Sequence, residues 1–345
     1  MNITLTIAYD SSLGTSMEDF IRSKKLQGYD YDGSAEILKV FDRFLVHKSF
    51  RSQRISREIL EDYIAESRQA GLHANALYQR VLSVSQFSRY LAQSDPESYA
   101  IEKMPVSQVP NRPPYLYSRN EIHQLLEAAK ELKPTPENPL RPHTYTTLLG
   151  LLYVSGLRLG EALSLSQEDV DCQRQRLFIR KGKFGKDRWV PISESTAEVL
   201  ADYFSRRQKA ACARGKQAVL FVDSKGKKLA QNTVRATFWR LLETCQISRN
   251  DTSQSNAKSQ IRPRLHDLRH TFAVERLREA YQEGKDPNAL LPVLATYMGH
   301  CKITGTQVYL HATEELRRET NKRFRQYAQE ILPTSPHSLS KTQPL

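Results

Sequence analysis

Cysteine is scarce in this 345-residue chain: there are four, at Cys172, Cys212, Cys245 and Cys301, and no CxxC pair. That spacing argues against a structural zinc site or a disulfide framework and fits a reducing compartment. Long apolar runs are missing as well. The longest, around Leu148 to Val154, is too short and too interrupted to cross a bilayer, and no basic amphipathic segment dominates, so no membrane partner is expected. The opening residues MNITLTIAYD have no basic stretch followed by an apolar one, so no secretory signal is expected either.

What the chain has in excess is positive charge: 51 Lys and Arg against 38 Asp and Glu, a formal net of +13. An anionic partner follows, most simply nucleic acid. The excess is unevenly placed. Residues 1–110 carry 13 basic and 14 acidic side chains, and the remaining 235 residues carry 38 and 24. Length alone suggests two domains, each able to bury a core.

Apolar periodicity divides the chain further. Residues 1–30 mix a short β-like run, Ile3 to Ala8, with polar and acidic residues and read as an N-terminal arm. Across 31–104 three helical faces follow: Ile37, Val40, Phe41 and Phe44; then Ile59, Leu60, Tyr63 and Ile64; then Leu77, Val81, Val84 and Phe87. The proline-rich stretch 105–114, PVSQVPNRPP, is a linker. A second domain over 115–331 starts with a helix capped by Ser118 and continues with helices over His143 to Val154 and from about Arg158. A β-hairpin is predicted around Leu177 and Ile179, a Lys/Gly turn at 181–186, and a strand resuming at Trp189. Further helices are predicted near 193–213, 231–245, from His266, over Leu290 to Met298 and over Glu314 to Ile331. The polar stretch 248–260 reads as a mobile loop and 332–345 as a disordered tail. The predicted fold is therefore mainly α, with a small antiparallel sheet in the C-terminal domain.

Four clusters carry possible chemistry. In LHDLRHTFAVERL, residues 265–277, helical geometry puts His266, Arg269 and His270 within an arc of about 100°. That is an anion site or a plain basic helix face. In SGLRLGEALSL, residues 155–165, Gly156 lets the chain turn, and Arg158 with Glu161 forms either an orienting pair or an ordinary surface pair. The hairpin IRKGKFGKDRWVPI, residues 179–192, carries Lys181, Lys183, Lys186 and Arg188. Such a hairpin normally follows a phosphate backbone, and one lysine reaching a leaving oxygen would be a general acid. In YMGHCKITGTQVYLHATEEL, residues 297–316, His300 follows a glycine at a helix end and Tyr309 comes nine residues later. On its own that tyrosine is as easily a packed aromatic.

Taken in order, the chain runs Arg, a Lys in a β-hairpin, His-x-x-Arg, Gly-His, then Tyr. This ordered set resembles the tyrosine recombinase (phage integrase) family, over roughly residues 115–325. The resemblance implies an N-terminal helical, SAM-like core-binding domain, a C-terminal catalytic domain, and a C-shaped grip on duplex DNA. It implies Tyr309 as nucleophile, Arg158 and Arg269 on the phosphate oxygens, His266 as proton acceptor, Lys183 as general acid and His300 as a donor to the phosphate. Glu161 and His270 are supporting residues. Arg51, Arg54, Arg57, Lys181, Lys186 and Arg188 are expected to bind DNA.

It further implies double-stranded DNA with specific recombination sites as partner, a tetramer on paired sites, and room for partner recombinases or accessory proteins. No cofactor is expected, and the lack of a Walker motif or a metal-ligand cluster agrees with that. The place of action would be the cytoplasm, on the nucleoid, and the pattern leans towards a mobile element's recombinase. Two alternatives stay open. One is the same strand chemistry in a type IB topoisomerase or telomere resolvase; the other is a binding-only protein that keeps the fold.

Overall fold

The computed structural model describes residues 7–29, 31–108, 114–180, 187–210, 218–248 and 262–299. The hairpin turn with Lys181, Lys183 and Lys186, nearly all of the 248–260 stretch, His300, Tyr309, the predicted helix over 314–331 and the tail lie outside the described residues. The chain divides into two compact units, Met1–Arg112 and Pro113–Leu345.

The first unit holds four helices: α1 (Gly14–Leu26), α2 (Asp32–His47), α3 (Arg57–Gln69) and α4 (Ala74–Ser94). Helix α1 corrects the expectation of an arm over 1–30. Leu13, Met17, Phe20 and Ile21 recur at helical spacing and are fully buried. The segment before α1 is tied down too. The buried Asp42 carboxylate accepts the backbone N–H groups of Asp10 and Ser11 and the Lys39 ammonium. The acidic and polar residues that read as an arm are therefore a helix start and its anchor. Aromatic rings fill the centre: Phe41 meets Tyr63 edge-on at 4.8 Å, and Phe20 lies 5.8 Å from Phe87. In α2 the middle of the buried face is Leu38, Phe41 and Leu45, with Ile37 and Val40 only half-buried at its margin.

The second unit is built around α6 (Arg141–Ser155), which packs against α5 (Arg119–Lys130), α8 (Glu194–Lys209) and α10 (Asp267–Gln282). Tyr145, Leu148, Leu149, Leu151 and Leu152 bury several sides of α6, as expected of a helix enclosed by others. Ser118 caps α5 in a reciprocal capping box with Glu121. The short α7 (Leu159–Ser164) follows α6 after a left-handed turn at Gly156. Helices α9 (Gln231–Thr244) and α11 (Pro287–Met298) complete the helical set among the described residues. None of these helices is long and apolar enough to cross a membrane.

Three strands form one antiparallel sheet in the order β1 (Val170–Asp171), β2 (Arg176–Ile179), β3 (Arg188–Pro191). The register pairs Leu177 with Val190 and Ile179 with Arg188. Leu177, Ile179 and Val190 are buried, so this face is the inner one, and Arg188 lies on it. The partner face carries Trp189, 49% exposed, with the Arg176 guanidinium 4.0 Å above its ring and Phe178 beside it.

Candidate active site

Gly156 ends α6 in the left-handed conformation (φ 59°), and a Cβ there would collide with the Phe272 ring. The turn delivers two groups. The Gly156 carbonyl accepts Arg269 Nη1 at 2.5 Å, and two residues on Arg158 stands at the start of α7. Glu161, one turn into α7, accepts the Arg158 backbone N–H at 3.0 Å and its Nη1 at 2.7 Å. The same carboxylate takes Arg188 from β3, Nη1 at 3.1 Å and Nη2 at 3.0 Å. Glu161 thus bridges two guanidiniums. Burial pushes its pKa up, but the Arg188 hydrogen bonds, the Arg158 backbone N–H and both positive charges outweigh that and hold it at about 2.

The last turn of α11 gathers three arginines. The Tyr297 carbonyl accepts Arg188 Nε at 2.9 Å, the Met298 carbonyl accepts Arg269 Nη2 at 2.6 Å, and the Gly299 carbonyl accepts Arg158 Nη2 at 3.0 Å. A helix leaves its final carbonyls without partners and its C-terminus partly negative, so cations there satisfy both needs at once. Gly299 adopts φ 67°, and a Cβ on it would come within 2.8 Å of Arg188 Nη1. The glycine before His300 is thereby explained by close packing.

Arg158, Arg269 and His266 line a common pocket of about 430 Å³, with Arg180, Gln231 and Arg235 on its wall. Arg158 keeps 24% of its side chain exposed, whereas Arg269 is almost entirely enclosed at 2%. His266 directly precedes α10, with its ring 5.0 Å from that of His270 at a right angle. His266 is exposed as a residue, yet protein packs closely enough around its ring to strip part of its hydration. That desolvation, then the nearby His270 and Arg269, push its pKa down to about 4. The His270 pKa is lowered as well, chiefly by burial. His266 is therefore neutral at neutral pH, the form that accepts a proton.

The pocket combines arginine donors with a neutral imidazole, a setting for binding a tetrahedral anion and taking a proton beside it. Among the described residues, no group of three or more His, Cys, Asp or Glu side chains could hold a metal ion. The Glu161 carboxylate on the pocket wall is already engaged by two arginines.

The structure brings Arg158, Glu161, His266 and Arg269 to one pocket, with His270 beside His266. It moves Arg188 to a different role. Only 12% of that side chain is exposed, and its donors go to Glu161 and the α11 backbone instead of outward to a phosphate. The cause is strand alternation: Val190 faces in, so Arg188 does too. In the first unit Arg51, Arg54 and Arg57 are all at the surface. Arg54 is paired with Asp95 and Glu97, and Arg57 with Glu61. Sequence reasoning missed Arg180, Gln231 and Arg235. Arg180 pairs with Asp169 and Glu168, and Arg235 donates to Gln231 and Asn232. Arg180 stands next to Lys181, and Gln231 and Arg235 are one turn apart at the start of a helix, but neither pattern differs from an ordinary polar surface.

The phage integrase family matches residues 116–315 of this chain. The integrase/recombinase-type protein y4rB of Sinorhizobium fredii (strain NBRC 101917 / NGR234) is 42% identical over 243 residues, 69% of this chain and 74% of the relative. The tyrosine recombinase XerC of Roseiflexus castenholzii (strain DSM 13941 / HLO8) is 29% identical over 260 residues, 73% of each chain. The fold is similar to that of the XerH site-specific recombinase solved in a pre-cleavage complex with difH substrate. There the TM-score is 0.61 at 16% identity, over 93% of this chain and 99% of the other. A family match over more than half of the chain, together with these relatives, carries the conclusion: the chain belongs to the phage integrase family and is a tyrosine-type DNA recombinase.

Proposed function

We propose that the protein is a site-specific recombinase that cuts and rejoins duplex DNA through a 3′-phosphotyrosyl intermediate. The observation that carries the reading is the shared pocket of Arg158, Arg269 and His266, with the imidazole held neutral. The Tyr309 oxygen attacks a backbone phosphorus, the bond to the 5′-oxygen breaks, and a 5′-hydroxyl leaves. His266 takes the tyrosine proton, which a side chain with an ordinary pKa near 10 does not release unaided. Lys183 protonates the departing oxygen, and His300 donates to the phosphate. Arg158 and Arg269 face the charge that builds on the non-bridging oxygens. One phosphodiester replaces another, so the bond energy is kept for rejoining by a 5′-hydroxyl of the partner strand and no ATP is consumed.

The partner is double-stranded DNA at paired recombination sites, the working assembly is a tetramer, and the setting is a mobile element on nucleoid DNA. The pocket with Arg180 and Arg235 on its wall supports a DNA-facing surface there. The test is a nicked duplex from the ends of the element that carries the gene, on which a cut strand cannot be resealed. The wild-type chain forms an SDS-resistant protein–DNA adduct and Tyr309→Phe forms none. An adduct with Tyr309→Phe, or none with the wild type, refutes the mechanism.

A further inference from the structure

Three observations converge on Arg188, a residue for which the proposed chemistry has no use. It lies on the inner face of the sheet, and it takes both oxygens of Glu161 while reaching the Tyr297 carbonyl. Its guanidinium also occupies the space that any side chain at position 299 would need. We infer that Arg188 is a positioning residue of the cleavage site, which sets Arg158 through Glu161 and fixes the end of α11 through Tyr297. The inference rests on the phosphotyrosyl reading above.

Charge gives the reason. Glu161 touches Arg158 directly at 2.7 Å, and that pair alone is neutral. A guanidinium whose charge is cancelled by its own neighbour has little left for a phosphate. Arg188 supplies a second positive charge to the same carboxylate, so the trio is +1 and Arg158 keeps its pull on an anion. Geometry adds to this. The two-pronged grip of Arg188 on Glu161 leaves the carboxylate one orientation, and that orientation aims Arg158 Nη1 and the Arg158 backbone N–H. The Tyr297 contact holds the carbonyls to which Arg158 and Arg269 bind, one and two residues before His300.

The test uses the full chain and a duplex selected from a random pool by wild-type binding, nicked beside the cleaved phosphate so that adduct accumulates. Two versions are compared, an ordinary phosphodiester and a methylphosphonate at the cleaved position. Arg188→Ala lowers the rate of adduct formation about 100-fold on the phosphodiester, the size of a small misplacement of a catalytic group. On the methylphosphonate, which carries no charge to neutralise, the loss shrinks to about 5-fold or less, in parallel with Arg158→Ala. Arg188→Lys falls between wild type and Arg188→Ala, because it restores the charge without the fork, and it serves as the test should Arg188→Ala not fold. Equal losses on the two substrates, or no loss on either, overturn the inference.

Binding provides a second readout. The salt dependence of binding to the same duplex is unchanged in Arg188→Ala, whereas a slope lowered by about one assigns Arg188 to a phosphate and overturns its inward role. If the wild-type chain forms no adduct, the phosphotyrosyl reading is what fails. The salt slope then decides on Arg188 alone, and an unchanged slope supports the inward role.

Discussion

At the scale of single residues, His266 is where pH acts first. Its pKa of about 4 means that the free protein presents a neutral imidazole down to mildly acid conditions. If His266 accepts the tyrosine proton, the acid limb of the kcat/KM profile for cleavage lies near 4 instead of the usual value of about 6.5. The same shift bears on stability. Unfolded, the imidazole takes up a proton from 6.5 downward, while in the folded protein it does so only near 4. The unfolded state therefore binds more protons in that window, and stability falls as pH is lowered through it. Glu161, held at about 2 against an ordinary 4.5, extends the same trend to lower pH. Denaturant midpoints measured between about pH 3 and pH 8 decline toward acid, and His266→Gln flattens the upper part of that decline.

Gly156 is the second residue with a sharp expectation. Left-handed backbone and the Phe272 ring both oppose a side chain there, so Gly156→Ala destabilises the protein by about 1–3 kcal/mol, read as a lowered denaturant midpoint. The sequence already marks Gly156 as a turn, Arg158 and Glu161 as a pair, and His266 with Arg269 on one face. These are local facts, expressed within a few residues. The Phe272 ring behind Gly156 and the arginine beside Gly299 are contacts across more than 100 residues, and no local pattern announces them.

At the scale of elements, strand β3 shows where pattern reading gives way. In Arg188-Trp-Val-Pro, hydropathy favours Trp189 inside and Arg188 outside. The register with Leu177 and Ile179 reverses this, because a side-chain period of two allows only one of the neighbours to face inward. Tertiary partners decide the matter: Glu161 receives the arginine, and Arg176 with Phe178 covers the exposed indole. Helix α1 makes the complementary case. Its apolar residues have helical spacing, but Gly14, Ser16 and the acidic pair Glu18-Asp19 break the visual pattern. Because Phe20 is 1% exposed and touches the rings of Tyr31, Phe87 and Tyr90, Phe20→Ala costs about 3–5 kcal/mol. Thermal unfolding of the full chain checks this, and an unchanged midpoint would mean that α1 is not part of the first unit's core.

For the whole molecule, the uneven charge now has a structural counterpart. The first unit spends part of its basic residues on its own carboxylates, as Arg54 does on Asp95 and Glu97. In the second unit Arg235 faces the pocket and donates to the side-chain amides of Asn232 and Gln231. Arg235→Ala should lower the salt slope of DNA binding by about one, and Arg54→Ala should change it by much less. A gel-shift titration across salt concentrations measures both, and equal effects would contradict this division. Arbitrary supercoiled plasmid offers a broader check: a recombinase that needs paired sites leaves it supercoiled, whereas efficient relaxation would point to topoisomerase activity.

The three carbonyls at the end of α11 also impose an order in time. Arg158 waits for a partner 141 residues downstream and Arg188 for one 109 residues downstream. A chain still being synthesised carries both arginines long before α11 exists, with Glu161 to pair them but no helix end to fix them. Pairings of such long range form late. A nascent fragment that stops short of α11 lacks the three carbonyls that fix Arg158, Arg188 and Arg269. A chain ending before Pro287 should accordingly be cut by protease around residues 157–165, where the full-length protein resists.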